Sequence, residues 1–90
     1  MALPEVTMYA TGWCPYCARA RSLLERKGVA WTEFDVEAEP ARRAEMIERS
    51  GRRTVPQIFI GGRPVGGCDD LYELDGSGEL DALLGKRAAG

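Results

Sequence analysis

The stretch Cys14-Pro15-Tyr16-Cys17 sets the tightest limit on what this chain can fold into. Two thiols three residues apart act as a pair only if the backbone between them turns. Val6 to Tyr9 is apolar and β-favouring, and Thr11-Gly12 breaks that run. A helical pattern starts at Pro15, because proline suits a first helical turn, where the missing N–H would have no intrahelical partner. Ala20, Leu23 and Leu24 recur at helical spacing, and Gly28 follows Arg26 and Lys27 as a terminator. The pattern predicts a helix over residues 15–27. Cys14 then stands at its mouth, and Cys17 lies one turn deeper on the same face.

A helix mouth presents unpaired N–H groups and a partial positive charge, both of which favour a thiolate at Cys14. Cys17 is close enough to close a small disulfide ring but is less exposed. Cys14 therefore reads as the attacking thiol and Cys17 as the resolving thiol. A faster attack is not the main gain. An ordinary thiol is roughly 3% thiolate at pH 7, and lowering its pKa by about three units raises that roughly 30-fold. The same shift costs roughly 20-fold in intrinsic nucleophilicity. The two effects nearly cancel. What remains is a better leaving group when a second thiol resolves a mixed disulfide, together with positioning of the partner. Positioning requires a docking site.

Composition narrows the class. Ninety residues, 44% of them hydrophobic, suit one soluble domain spanning 1–90. Twelve basic and 14 acidic residues give a net charge of −2, which is no footprint for nucleic acid. The apolar runs fall short of a membrane span, and MALPEVTMYA lacks the basic start of a signal peptide. Three cysteines are an odd number for a disulfide framework. The expected setting is a reducing cytoplasm, where a close cysteine pair is redox-active or metal-binding. A zinc site needs about four ligands, and with no histidine and one further cysteine the chain falls short. No metal is expected.

The remaining elements fall in order. Val29 to Val36 reads as a second strand, and Pro40 opens a helix that Gly51 stops, with a solvated Glu/Arg-rich face. Val55 to Ile60 is a third strand, Gly61-Gly62 a hairpin turn and Arg63 to Val65 its return strand. Asp69 or Asp70 caps a last helix through Leu74, Gly76-Ser77-Gly78 interrupts it, and residues 79–84 add a short helical end. Leu23, Leu24, Trp31, Phe34, Ile58 and Ile60 read as core. The order β-α-β-α-β-β-α implies an α/β fold with a mixed four-stranded sheet flanked by helices, its first two strands parallel and its last two antiparallel. A Cys-x-x-Cys at the end of the first strand of a βαβ pattern reads as a thioredoxin-like redox site.

Two further segments offer the docking site. Arg52-Arg53-Thr54-Val55-Pro56 ends a loop before a strand, and Gly66-Gly67-Cys68-Asp69-Asp70 leads into a helix N-terminus, a natural carboxylate site. A small zwitterionic thiol with two carboxylates and an amine suits such surroundings. With CPYC, TVP and GGCDD in place and in order, residues 5–84 resemble the dithiol glutaredoxins, notably small bacterial ones that carry GGCDD.

The resemblance implies a thioredoxin fold, a cis bond between Val55 and Pro56, and glutathione as reductant. It implies that Tyr16, Thr54, Val55, Pro56 and Asp70 line the glutathione site. The Asp69 and Asp70 amides would take one carboxylate and the Asp70 side chain the amine, with Gln57 or Arg52 reaching the other carboxylate. Expected partners are glutathionylated or disulfide-containing proteins, ribonucleotide reductase among the family's candidates, acted on by a monomer. Many members carry a lysine three residues before the first cysteine. Here that position is Thr11, and Arg52 or Arg53 is the expected replacement for its charge. Trp13 before Cys14 is similar to the Trp-Cys pair of thioredoxins, although the CPYC core is not theirs.

Two other readings stand beside this one: a glutathione-ligated [2Fe–2S] module, which Pro15 and the second cysteine disfavour, and a redoxin reduced by thioredoxin reductase. Cys68 is open between a packed small residue and a regulatory thiol.

Overall fold

The structure is a computed structural model, and it describes residues 4–85; residues 1–3 and 86–90 of the expected domain lie outside that range. The elements run β1 (Val6–Ala10), α1 (Pro15–Arg26), β2 (Thr32–Asp35), α2 (Pro40–Ser50), β3 (Gln57–Ile60), β4 (Arg63–Gly66), α3 (Cys68–Ser77) and α4 (Glu79–Leu83). The sheet order is β2-β1-β3-β4. β1 pairs parallel with β2 and antiparallel with β3, and β3 pairs antiparallel with β4. Pro64 sits in β4, an edge strand, where its missing N–H costs no ladder bond. No helix is long and apolar enough to cross a membrane among the described residues.

Alternation along the strands decides which helices lie on which side. Met8 and Ala10 of β1, with Ile58 and Ile60 of β3, meet Ala20, Leu23 and Leu24 of α1, Leu71 of α3 and Leu80 of α4 in one core. Tyr9 and Phe59 point the other way and pack with Val36 and with Met46 of α2. The Tyr9 hydroxyl, fully buried, donates to Glu45 and accepts from Arg49 at 2.7 Å, so α2 satisfies the one polar tip that β1 buries on that side.

The expected boundaries differ by more than one residue at three elements. β2 starts at Thr32 rather than Val29, because its pairing with β1 begins at Thr7 opposite Thr32; Val29 and Trp31 still pack against the core. β3 starts at Gln57 because Pro56 has no N–H to give a ladder. α3 starts at Cys68, and Gly76 and Ser77 belong to it; the break falls on Gly78 alone, at φ 83°. Of the expected core, Leu23, Leu24, Ile58 and Ile60 are buried, and Trp31 and Phe34 are partly so.

Candidate active site

Pro15 occupies the first turn of α1, which leaves Cys14 as the N-cap with extended backbone (φ −78°, ψ 122°). All three cysteines are free thiols. Cys14 is 7% exposed and Cys17 is fully buried, the order that a helix mouth and its first turn dictate. Cys14 makes no regular capping hydrogen bond, but the surrounding donors favour its thiolate. Burial pushes its pKa up; the backbone N–H and the thiol of Cys17, the backbone N–H of Tyr16 and the Arg21 charge outweigh this and hold it below the ordinary thiol value. Cys17 goes the other way. Burial is the largest cause, the Thr11 backbone N–H opposes it, and the neighbouring Cys14 thiolate adds to it, so that its pKa is pushed up to about 11.

The positive charge facing both thiols is Arg21, and not Arg52 or Arg53. Its guanidinium is pinned from two sides. Glu33 of β2 accepts from Nε at 2.9 Å and from Nη2 at 2.6 Å, and Nη2 also donates to the Thr11 carbonyl at 3.2 Å. The Thr11 hydroxyl is buried without a hydrogen-bond partner. Reading the residues in chain order missed Arg21, although its position carried a signal: it stands four residues after Cys17 on one helix, hence on the same face.

Beside the thiols lies a cleft of about 200 Å³. One wall is Tyr16, half-exposed; the floor is Thr54, Val55 and Pro56; the far wall is Gly67, Cys68, Asp69 and Asp70, with Arg52 at the rim. The Val55–Pro56 bond is cis. Asp70 caps α3 from inside the helix: its carboxylate accepts from the Gly67 N–H at 2.9 Å and from Arg52 Nη1 at 2.9 Å. The Gly67 N–H, followed by Arg52, holds that carboxyl below its usual range. Gly66 makes this fold-back possible. At φ 104° a side chain is strained, and a Cβ there would sit 2.7 Å from the Asp70 Cγ.

Of the residues expected at the site, the cleft gathers Tyr16, Arg52, Thr54, Val55, Pro56, Asp69 and Asp70. Gln57 is not presented to it. Its side chain is 1% exposed, and its amide donates to the Thr54 carbonyl at 3.0 Å and to Thr54 Oγ1 at 3.3 Å, so it braces the floor from below. Arg53 does not line the cleft. Cys68 does, 4% exposed and with its pKa raised, chiefly by burial. The described residues hold no cluster of three or more metal-ligating side chains.

Residues 6–65 match the family model described as glutaredoxin. The chain belongs to the glutaredoxin family. It is 54% identical over 82 residues to a glutaredoxin of Pseudomonas aeruginosa, covering 91% of this chain and 98% of that one. Among solved structures, it is similar to the solution structure of glutaredoxin from Brucella melitensis, with TM-score 0.82 and 56% identity over 98% of each chain. It also resembles a buckwheat glutaredoxin crystallised as a glutathione complex, with TM-score 0.84 and 30% identity over 91% of this chain and 77% of that one. The fold is therefore the thioredoxin fold, and the chain is a thiol–disulfide oxidoreductase.

Proposed function

We propose that this chain is a dithiol glutaredoxin that spends glutathione to reduce protein–glutathione mixed disulfides and protein disulfides, with Cys14 as nucleophile and Cys17 as resolving thiol. The cleft beside a depressed-pKa thiol carries the reading. Its walls suit a small zwitterionic peptide. The Val55 backbone offers extended pairing, the first N–H groups of α3 offer a carboxylate site, and Asp70 and Arg52 offer one charge of each sign. That a buckwheat relative is known as a glutathione complex supports the same occupant here.

In the monothiol route the Cys14 thiolate attacks the glutathione sulfur of a mixed disulfide. The Cys14–glutathione bond forms, the protein sulfur leaves as a thiolate and takes a proton, and a second glutathione thiolate then attacks that bond. Oxidised glutathione departs and Cys14 returns as thiolate. In the dithiol route Cys14 attacks a protein disulfide, and Cys17 attacks Cys14 in the resulting mixed disulfide. The protein leaves as a dithiol and Cys14–Cys17 remains as a disulfide, which two glutathione molecules reduce.

The opposite shifts of the two thiols give this sequence its timing. Cys17 is held protonated by burial, and in addition by the charge and hydrogen bond of the Cys14 thiolate. Once Cys14 is tied up in a mixed disulfide, the latter two causes vanish. Cys17 then deprotonates more readily, at the step that needs it.

The substrates are taken to be cytoplasmic proteins, ribonucleotide reductase among them, and the enzyme a monomer. The test supplies a glutathionylated peptide with glutathione, glutathione reductase and NADPH as the sole electron source. Steady NADPH consumption is expected. No turnover, with activity restored by thioredoxin reductase, would mean that the cleft does not take glutathione.

A further inference from the structure

A second concavity lies at Trp13, the residue before Cys14, bounded by Pro40 and Arg43 of α2 and by the loop at Arg53. It measures about 570 Å³, within the usual range of a ligand site. Its lining is mostly apolar: Trp13, Val36, Pro40 and Val55. Trp13 is 72% exposed and immediately precedes the nucleophile. An indole left in water beside a reactive sulfur is a costly placement unless something covers it. Its orientation is nevertheless fixed, because Nε1 donates to Glu37.

The rim is charged. Arg43 and Arg53 stand on it, both exposed, and among the described residues neither pairs with a carboxylate. Arg43 reaches only the Arg53 carbonyl, at 3.5 Å. The Glu37 carboxylate is the one negative group on the rim, and it is taken by the indole.

The groove is continuous with the cleft described above. Thr54 and Val55 line both. A disulfide brought to Cys14 with one half seated in the cleft therefore has a ready-made surface for its other half.

We infer that the groove between Trp13 and α2 holds the polypeptide around the substrate's cysteine, and that it favours segments with an apolar side chain and a carboxylate close to that cysteine. The inference rests on the function proposed above and adds which protein substrates are preferred. The apolar side chain lies against the Trp13 indole, Val36 and Pro40. The carboxylate meets Arg43 and Arg53. Trp13, Val36, Pro40, Arg43 and Arg53 line this groove and not the glutathione cleft, so the groove sorts proteins without altering the reaction with small disulfides.

The experiment compares three substrates in the glutathione and glutathione reductase assay. Two are peptides of equal length, each glutathionylated at a single cysteine, one flanked by Leu and Glu and the other by Gly and Lys. The third is the mixed disulfide of free cysteine with glutathione. The wild-type chain is expected to favour the Leu/Glu peptide over the Gly/Lys peptide by about tenfold in kcat/KM, the size of effect one aromatic anchor and one arginine contact produce. Trp13→Ala and Arg43→Glu should each shrink that preference, mainly through KM, while turnover of the cysteine–glutathione disulfide stays within about twofold of wild type. Arg43 lies on the exposed face of α2, so its reversal tests the idea even if Trp13→Ala perturbs the fold. Equal kcat/KM for the two peptides, or a preference that both variants leave intact, overturns the inference. Absence of turnover of the cysteine–glutathione disulfide by the wild type would instead overturn the glutathione-dependent reading, and this one with it.

Discussion

At the mouth of α1, Cys14 keeps 7% of its surface in contact with solvent and titrates below the ordinary thiol value. One turn behind it, Cys17 is enclosed and titrates near 11. Burial disfavours the thiolate in both places, and the deeper burial of Cys17 is the chief reason its pKa is raised. Arg21 does not separate the two, because its charge favours both thiolates. The donors widen the difference. Cys14 collects two backbone N–H groups of the opening turn and the Cys17 thiol, whereas Cys17 has the Thr11 N–H alone and faces its neighbour's negative charge. Three residues of helix thus place chemically identical side chains on either side of the ordinary thiol value: burial holds Cys17 above it, and the N–H groups that a helix start leaves unpaired help draw Cys14 below it.

The comparison can be broken outright by removing one member. Cys14→Ser should lower both deglutathionylation and protein-disulfide reduction by roughly 10³-fold or more, since no other thiolate is available at neutral pH. Cys17→Ser should separate the two reactions: glutathionylated peptide is still turned over, and reduction of a protein disulfide such as insulin's is lost. Loss of both would invert the assigned roles. Cys17→Ala sharpens the contrast, because alanine removes the donor that serine retains. Cys14 should titrate higher in the alanine variant than in the serine variant, read from thiolate absorbance against pH.

Arg21→Met should raise both thiols together and leave the gap between them nearly unchanged, with a few-fold loss of rate on the acid side of the Cys14 titration that recovers as pH rises. A rise confined to one thiol would contradict the assignment of Arg21. Arg52→Ala is the mildest change. Its exposed contact with Asp70 is worth about 0.5–1 kcal/mol at most, so KM for a glutathionylated peptide should rise about two- to fivefold, while the Cys14 titration stays put.

Local chemistry explains which of these features could be read along the chain. Pro15, Gly28, Pro40, Gly51 and the Gly61-Gly62 turn each act on their immediate neighbours, and the elements they bound appear within a few residues of expectation. The roles of Cys14 and Cys17 follow from helix geometry and are equally local. Arg21 was missed because its effect depends on Glu33 and on the Thr11 carbonyl, groups on other elements that fix its guanidinium beside the thiols. Gln57 was expected to face the ligand, but β3 begins there and turns its amide under Thr54. Asp70 looked like a candidate N-cap residue, yet it caps from the third position of α3 by reaching back to Gly67, which the glycine at 66 permits. The cis bond before Pro56 came from the family resemblance and from no local signal. The groove at Trp13 needed α2 and the loop at Arg53 to be brought together in space.

The most direct measurement of the central claim is alkylation of the reduced protein by iodoacetamide across pH, with the modified cysteine identified by mass spectrometry at the first hit. Cys14 should be labelled first at neutral pH, with a rate that has already levelled off below the pH at which an ordinary thiol titrates. Cys17 should stay unlabelled until the pH approaches 11. Labelling of the two at similar rates at neutral pH, or a Cys14 rate that climbs only where free cysteine titrates, would contradict the account.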